Sequence, residues 1–395
     1  MVNQENSVVV VAAARTPMGG LQGDLAEVGA TRLGAVSIAA AMLRANLSAD
    51  EIDEVYFGNV VSAGLKQAPA RQAALAAGID EATPCTTISK VCGSGMKAIM
   101  IGRDQIVAGN ADVVMTGGME NMSATPYLIP KARNGLRLGH GELKDSLFLD
   151  GLEDAEAGGL MGSFAQSTAD QYCIGREKMD EYAIKSLKRA QVAQQQGYMH
   201  EEIAAVSVES RSGVRVVEED EQPAKANLEK IPKLRPAFKK DGTVTAANSS
   251  SISDGAAAVL LMRESTALQK KVTPLARLVA QSSHAQAPKD FCLAPVAAVQ
   301  KVLDKAGWSV DDVDLFELNE AFAVVPLLAI EQLKLDSEKV NIHGGACALG
   351  HPLGASGARI LVTLIYALKR TGKSRGVAAL CIGGGEATAM AIELV

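Results

Sequence analysis

The sequence predicts an α/β protein built as a layered sandwich, in which helices cover both sides of sheets. Short strands rich in Val and Ile alternate with helical segments, which is the pattern of sheets buried on both faces. The same order of landmarks occurs twice along the chain, which predicts two halves related by pseudo-twofold symmetry. The 395 residues are 48% apolar and 21% charged, a composition that supports a large core and not a disordered chain.

The internal repeat rests on pairs of similar segments at nearly constant offsets of 261, 262 and 266 residues. Each half contains a strand that follows a helical segment, the start of an amphipathic helix, and a strand that ends in glycines and a Glu. The paired segments are 51–59 with 312–320, 94–98 with 356–360, and 113–120 with 377–386. The alternative is coincidence between two generic β–α patterns, which the near-constant offsets disfavour.

A long insertion is predicted within the first half. The last strand, 387–395, follows its glycines directly, whereas the corresponding apolar segment of the first half appears only at 255–262. The residues between are rich in charge at 211–240 and helical at 176–196. The predicted units are an N-terminal half, an inserted loop domain and a C-terminal half, at 1–120 plus 254–273, 121–253 and 274–395.

Charge and hydropathy argue against two classes of partner. The net charge is −6 and no run of like charge reaches five residues, so nucleic acid is not expected as a partner. No apolar run approaches the roughly 20 residues that a membrane-spanning helix needs. The polar start, 1–7, lacks the basic region of a secretory signal and the arginines of a transit peptide, so a cytoplasmic location is expected.

The six cysteines are too sparse for a disulfide framework and are expected to be free thiols in a reducing compartment. Cys92 is the strongest catalytic candidate, because it lies at a predicted strand-to-helix turn with Gly93 and Gly95 on either side of Ser94. At a helix N-terminus, free N–H groups and the helix dipole would lower the pKa of the thiol and could bind an oxyanion. A buried structural cysteine is the alternative, and the glycine-rich turn favours a nucleophile.

His351 is the candidate partner of Cys92. It lies in the segment 344–357, where five glycines predict an exposed loop, and it precedes the turn that matches the turn of Cys92. The repeat would bring the imidazole near the thiol, as a base or as a donor to a carbonyl oxygen. A metal site is a rival interpretation, since His343, Cys347 and His351 are spaced i, i+4, i+8. It requires an unbroken helix, which the glycines and proline of this loop disfavour.

Two further polar positions follow predicted apolar strands. Cys381 precedes a run of glycines, and the ordinary thiol pKa of about 8.5 can be tuned for proton transfer. The local pattern alone favours a core residue there. Asn319 and Glu320 follow another strand, where the local pattern favours a helix cap over a site that orients water.

Several familiar motifs are absent from the sequence. No G-x-G-x-x-G fingerprint with an acidic partner follows the first strand, so dinucleotide binding is weakly supported. The segment 372–374 resembles the end of a P-loop, but Ala367 stands where the motif requires glycine. Neither a G-x-S-x-G elbow nor an H-E-x-x-H motif is present.

Taken together, several segments resemble the thiolase family, in particular its acetyl-CoA-condensing branch. The similar segments occur in the family's order, nearly end to end, at 13–17, 90–97, 234–238, 243–254, 319–323, 344–359 and 381–385. The resemblance implies a layered αβαβα thiolase-like fold whose inserted loop domain covers coenzyme A. It also implies that acetyl-CoA, acetoacetyl-CoA and CoA are the small-molecule partners, that no cofactor or metal is needed, and that the chain forms a homodimer or homotetramer.

The resemblance assigns a role to each candidate. Cys92 would accept the acyl group, and His351 would activate it and polarise the thioester oxygen. Cys381 would be the acid and base at the substrate α-carbon. Asn319 would hold a water that forms one oxyanion hole with His351, and the backbone N–H groups of Cys92 and Gly383 would form the other.

The resemblance also implies a coenzyme A pocket, lined by Leu152, Met161, Leu234, Phe238, Ala246, Ser250, Phe291 and Ala321. The sequence departs from the family pattern at two places. Leu160 stands where short-chain members often carry His. Pro223 aligns near the Arg that stacks against adenine in some members, with Lys225 close by.

Three other classes of protein compete with this interpretation. A ketoacyl synthase would pair its cysteine with two histidines, or with His and Asn, and would lack Cys381, so that residue disfavours it. A 3-ketoacyl-CoA thiolase that degrades longer fatty acyl chains would keep every catalytic residue and differ only in pocket shape. A non-catalytic lipid-binding or scaffold protein could lose Cys92 without harm.

Overall fold

The computed structural model describes residues 7–156, 158–211 and 213–395. The strands in chain order are β1 (Val8–Arg15), β2 (Gly19–Gly20), β3 (Glu54–Gly58), β4 (Cys85–Ile88), β5 (Val113–Asn121), β6 (Tyr127–Leu128), β7 (Lys144–Asp145), β8 (Val206–Ser210), β9 (Gly213–Val217), β10 (Ser253–Arg263), β11 (Ala276–Ala285), β12 (Leu315–Leu318), β13 (Arg375–Ile382) and β14 (Glu386–Leu394). Strands β6–β7 and β8–β9 form separate antiparallel hairpins, and the other strands form one sheet.

The helices lie between and around these strands. In chain order they are α1 (Ala30–Ala45), α2 (Pro69–Ala76), α3 (Ser94–Ala108), α4 (Met161–Gln171), α5 (Arg176–Gln195), α6 (Glu221–Lys225), α7 (Glu264–Lys270), α8 (Ala294–Ala306), α9 (Val324–Leu333), α10 (Ala346–Leu349) and α11 (Leu353–Thr371). Within the part of the chain that the structure describes, none of them is long and apolar enough to cross a membrane.

The sheet has the same strand order on each side of its centre. The path is β12-β13-β14-β11-β1-β10-β5-β3-β4, and the two sides join through the antiparallel pair of β1 and β11. On one side β10 pairs antiparallel with β5, which pairs parallel with β3. On the other side β14 pairs antiparallel with β13, which pairs parallel with β12. The strands matched in the sequence repeat therefore occupy equivalent places, while the domain boundaries at 120/121, 253/254 and 273/274 stay a prediction.

Alternate residues of the central strands pack into different apolar clusters, which defines the layers. In β10, Val259 faces a cluster with α3 and α11, and Leu260 faces a cluster with α1 and α2. In β13, Leu380 faces α3 and α11, whereas Val377 packs with α8. Since strand residues alternate between the two faces of a sheet, the two sides of the one sheet form separate layers, with α3 and α11 between them and the other helices outside. The predicted αβαβα fold class is confirmed.

Helices α3 and α11 cross in the middle layer at glycines. A Cβ at Gly95 would lie 2.9 Å from the Gly354 carbonyl oxygen and 2.9 Å from the Ala358 nitrogen. A Cβ at Gly357 would lie 2.5 Å from the Met96 nitrogen. These two glycines were paired in the sequence repeat, so the same requirement for close backbone approach is met by both helices.

A buried cluster of charged side chains joins residues of the 121–253 segment to β1 by hydrogen bonds. The Arg15 guanidinium donates to Glu202 at 2.5 Å and to both oxygens of Asp220 at 2.7 and 2.8 Å. All three side chains are almost fully buried. Glu202 also accepts a hydrogen bond from Thr363 of α11 at 3.1 Å. The Arg15 guanidinium therefore links β1 to the 121–253 segment directly, and to α11 through Glu202.

We expect Arg15→Met to lower the free energy of unfolding by about 3–5 kcal/mol, because it leaves two buried carboxylates without their cation. Urea titration measures the change. Lys178→Met is the matched control, since it breaks an exposed ion pair with Glu331 that is worth less than about 1 kcal/mol. Equal losses in the two variants would contradict this account.

Candidate active site

A tight turn presents Cys92 at the start of α3. Val91 has a φ of +46°, a left-handed conformation that β-branched residues rarely adopt. The Ser94 hydroxyl accepts from the Lys90 N–H at 2.8 Å and donates to the Val91 carbonyl at 2.6 Å, which closes the turn. Cys92 is half-buried at the tip. The strained turn places the Cys92 thiol and the Cys92 backbone N–H group next to the N-terminus of α3.

The end of β13 and the glycines after it lie against this turn. A Cβ at Gly93 would lie 2.3 Å from the Ile382 Cδ1 atom, so a larger residue there would require the Ile382 side chain to move. A Cβ at Gly383 would lie 3.5 Å from the Val91 Cγ1 atom, and the Gly383 N–H favours the charged form of the Cys92 thiol. An ion pair between Lys90 and Glu386 joins the two loops at the surface. The structure therefore brings Cys92 and Gly383 together, from opposite sides of the sheet.

The pKa of Cys92 is raised to about 11, contrary to the lowering expected from a helix terminus. Burial of the thiol is the largest cause, because it disfavours the charged thiolate. The N–H groups of Gly383 and of Cys92 itself oppose it, and the negative charge of Glu120 adds to it. The free protein therefore holds a neutral thiol, which needs a base at the moment of reaction.

This pKa predicts the pH dependence of alkylation at Cys92. We expect the rate with iodoacetamide to rise about tenfold per pH unit between about pH 7 and pH 9, because the reactive thiolate stays a small fraction of a group with a pKa of about 11. Protein unfolded in urea is the control, since its thiols have pKa values near about 8.5 and their rate levels off earlier. A rate that is flat from pH 6 upward would instead indicate a thiolate–imidazolium pair.

His351 is buried, and its hydrogen bonds define its tautomer. Its Nδ1 lies 2.6 Å from the Ser356 hydroxyl oxygen, which itself donates to the Pro352 carbonyl at 2.9 Å. Because that hydroxyl has only one proton, Nδ1 must donate to it and Nε2 carries the lone pair. Among the described residues, Nε2 has no hydrogen-bond partner. Burial, with the charge of Arg359, lowers the pKa of His351 to about 3, so the ring is neutral.

Asn319 lies beside this imidazole at the end of β12. Its Nδ2 is 3.5 Å from the His351 Nδ1, and its Oδ1 is buried without a partner in the described part of the chain. The helix-cap interpretation was wrong. Helix α9 begins at Val324 after Ala323, and no side chain caps it. Two unpartnered buried polar atoms, His351 Nε2 and Asn319 Oδ1, are a strong sign of a binding site, because burial without a partner is costly.

Cys381 is fully buried at the end of β13. Burial raises its pKa well above the ordinary value, and the nearby thiols of Cys92 and Cys292 raise it further. The thiols of Cys92 and Cys381 are therefore close enough to interact electrostatically. The apolar cluster around Cys381 includes Phe291, Ala321, Phe322, Met161 and Phe238.

The pocket residues implied by the resemblance fall into three groups. Leu234 and Ala246 line a cleft of about 270 Å³, which Ser251, Lys225 and Lys230 also line. The Ser251 carbonyl accepts from the His351 N–H at 3.2 Å, so the cleft adjoins the catalytic candidates. The second group, Met161, Phe238, Phe291 and Ala321, packs around Cys381, and the Ala321 carbonyl accepts from the Ser250 N–H at 2.9 Å. Leu152 joins a third cluster that packs against Cys92.

The metal interpretation of His343, Cys347 and His351 lacks its helix. Helix α10 covers Ala346–Leu349 and ends at Gly350, which has a φ of +103°. The His343 Nε2 accepts from the Arg370 Nε at 3.0 Å. Among the described residues, no group of three or more His, Cys, Asp or Glu side chains is arranged to hold a metal ion.

Sequence reasoning missed two residues that shape the site. Ser356, noted only as a landmark of the repeat, determines the tautomer of His351. Glu120, a landmark of another pair, accepts from the Gly354 N–H at 2.8 Å and from Asn59 Nδ2 at 2.7 Å, and burial raises its pKa to about 7. Both residues lie near glycines in the repeated segments. That position was the signal in the sequence that could have marked them as site residues.

Comparison with known proteins agrees with this geometry. The family models "Thiolase, N-terminal domain" and "Thiolase, C-terminal domain" match residues 8–265 and 272–394. An acetyl-CoA acetyltransferase of Escherichia coli K12 is 48% identical, with 98% of each chain covered. A mitochondrial acetyl-CoA acetyltransferase of rat is 47% identical over 98% of this chain and 91% of its own. A crystal structure of the Bacillus anthracis acetyl-CoA acetyltransferase superposes with a TM-score of 0.96 at 42% identity, covering 98% of this chain and 99% of that one.

Proposed function

The chain belongs to the thiolase family, and from that membership we propose that it is an acetyl-CoA C-acetyltransferase. It joins two molecules of acetyl-CoA into acetoacetyl-CoA and CoA, reversibly, through an acetyl-cysteine intermediate. Two observations support the proposal: the buried neutral imidazole of His351 has an unpartnered Nε2, and the Cys92 thiol raises the pKa of Cys381. That set provides both a base for a nucleophile and a second acid–base group.

In the first half-reaction, Cys92 attacks the thioester carbon while His351 Nε2 takes the thiol proton. The C–S bond to CoA then breaks, and His351 returns the proton to the departing CoA sulfur. The N–H groups of Cys92 and Gly383 favour the charged form of the Cys92 sulfur, and in this proposal they donate to the oxygen of the tetrahedral intermediate. Each such preorganised donor is worth about 3 kcal/mol in the transition state.

In the second half-reaction, His351 Nε2 takes the thiol proton of Cys381, and the resulting Cys381 thiolate removes a proton from the α-carbon of a second acetyl-CoA. The carbanion attacks the acetyl-cysteine, the C–S bond to Cys92 breaks as acetoacetyl-CoA forms, and His351 returns its proton to the Cys92 sulfur. The enolate oxygen would be stabilised by the Nε2–H group of the protonated His351 and by a water held on the free Oδ1 of Asn319. Thiolysis of acetoacetyl-CoA follows the same steps in reverse. The reaction requires no cofactor in this proposal, since both coenzyme A thioesters are substrates.

The cleft at Leu234 and Ala246 is proposed as the coenzyme A site. Its volume of about 270 Å³ is just below the usual range of small-molecule pockets. Lys225 and Lys230 line it and supply positive charge for the phosphates. The cleft adjoins His351 through Ser251, so a pantetheine arm could reach the thiols from there.

Turnover of 3-ketoacyl-CoA thioesters of increasing chain length tests the substrate class. We expect the highest kcat/KM with acetoacetyl-CoA and a steep fall for longer chains. The reason is that Phe238, Phe291 and Phe322 pack edge to face in the apolar cluster of Cys381, where we expect their rings to oppose the entry of further methylenes. A kcat/KM that rises with chain length would instead favour a thiolase of fatty-acid degradation.

We further propose that the protein works in the cytoplasm as a homodimer or homotetramer. Light scattering after size-exclusion chromatography distinguishes monomer, dimer and tetramer by mass. Fractionation of the source cells tests the compartment.

A further inference from the structure

The carboxylate of Glu320 is buried beside Asn319 and accepts four hydrogen bonds, two on each oxygen. Oε1 accepts from the Tyr182 hydroxyl at 2.9 Å and from Asn341 Nδ2 at 2.9 Å. Oε2 accepts from the Ser186 hydroxyl at 2.7 Å and from the Cys347 N–H at 3.0 Å. The side chain is fully buried. A buried carboxylate this completely satisfied fixes every group that donates to it.

The donors come from parts of the chain that surround the catalytic candidates. Tyr182 and Ser186 are one turn apart on α5, and Cys347 lies on the short helix α10, which precedes His351. The Ser186 hydroxyl also accepts from the Gly345 N–H at 3.0 Å. A Cβ at Gly345 would lie 2.3 Å from the Glu320 carboxyl carbon, so the loop packs directly on this side chain.

Glu320 is bonded covalently to Asn319 and by hydrogen bonds to the loop before His351. The two unpartnered atoms of the site, Asn319 Oδ1 and His351 Nε2, therefore lie on the two segments that Glu320 joins. We propose that Glu320 is a positioning residue that sets the separation of these two atoms, and that α5 takes part through Tyr182 and Ser186. This inference rests on the proposed function, because it concerns the oxyanion site of the second half-reaction.

Glu320→Gln is the sharpest single change, since the side chain keeps its shape. A glutamine has an NH2 group in place of one carboxylate oxygen. That NH2 group would then face the two hydrogen-bond donors that the oxygen accepts from in the unsubstituted protein. The loop must then shift to relieve the conflict. A displacement of about 1 Å at catalytic groups can lower kcat about 100-fold. We expect a fall of about that size in kcat for condensation, with KM for acetyl-CoA changed less than about twofold.

The discriminating readout is the alkylation of Cys92 by iodoacetamide, which does not use Asn319. We expect its rate in Glu320→Gln to stay within about twofold of the unsubstituted protein while condensation falls. The matched control is Glu331→Gln on α9, an exposed carboxylate whose loss should leave both rates unchanged. Should Glu320→Gln fail to fold, the double variant Tyr182→Phe with Ser186→Ala removes one donor from each oxygen and should lower kcat by about tenfold.

Two results would overturn the positioning role. One is condensation in Glu320→Gln, or in the double variant where that is used, within twofold of the unsubstituted protein. The other is an equal loss of condensation and of Cys92 alkylation, which would mean that the site as a whole is disrupted. Absence of condensation in the unsubstituted protein would refute the proposed function instead. Each experiment therefore separates the two claims.

Discussion

Cys92→Ser is expected to lower acetyl transfer by about 1000-fold or more, because a hydroxyl is a much weaker nucleophile than a thiol beside the same neutral base. The His351 Nε2 would still be placed to take a proton, but the acyl-enzyme would form too slowly to support turnover. Steady-state condensation and thiolysis assays measure the loss in each direction. Intact-protein mass spectrometry after incubation with acetyl-CoA shows whether the acetylated enzyme accumulates.

Cys173→Ser is the matched control for that experiment. Cys173 is exposed and lies between α4 and α5, away from the contacts that bring Cys92 to Gly383. We expect its replacement to leave turnover and acetylation unchanged. Turnover in Cys92→Ser close to that of the control would remove Cys92 from the proposed mechanism and would favour a non-catalytic binding protein.

Cys381→Ala is expected to separate the two half-reactions. Acetylation of Cys92 by acetyl-CoA should continue, because that step uses His351 as its base. Condensation should fall by about 100- to 10,000-fold, since no side chain would remain to take the α-proton of the second substrate. Rapid-quench measurement of acetyl-enzyme alongside steady-state condensation tests both expectations on the same protein sample.

Cys292→Ala provides the comparison for Cys381→Ala. Cys292 is buried in the same apolar cluster and has no proposed chemical role, so a similar small cavity is made without removing the acid–base group. We expect condensation in this variant to stay within about threefold of the unsubstituted protein. If Cys381→Ala lost acetylation and condensation to the same extent, its role in proton transfer would be rejected.

The fold was predictable because it follows from patterns that repeat. Strand and helix alternation predicted the sheets, and the paired segments predicted the equivalence of β3 with β12 and of β5 with β13. The paired glycines 95 and 357 could be recognised in the sequence. The structure shows why glycine is needed there, since α3 and α11 cross at these residues. The long insertion was inferred from the delayed appearance of β10, which pairs directly with β5 in the structure.

The chemistry of the site was less predictable, because burial changes the pKa of a side chain more than its position at the end of a helix does. A helix start suggested a lowered pKa at Cys92, but desolvation by surrounding segments raises it. Asn319 looked like a helix cap because the sequence cannot show that α9 starts several residues later. Glu320 was noticed only as part of a possible cap or water site, and its positioning role could not be predicted because its donors come from α5, Asn341 and Cys347, up to 138 positions away.

The glycine contact between α3 and α11 has a consequence for splitting the polypeptide. Each of these helices is covered by the other along a seam too narrow for a methyl group, so a fragment that ends after α7 would expose one side of that seam. We expect this fragment and the fragment that begins after α7, when each is produced alone, to precipitate or to bind chaperones. Produced together, they should assemble and recover thiolase activity, because each supplies the surface that the other lacks.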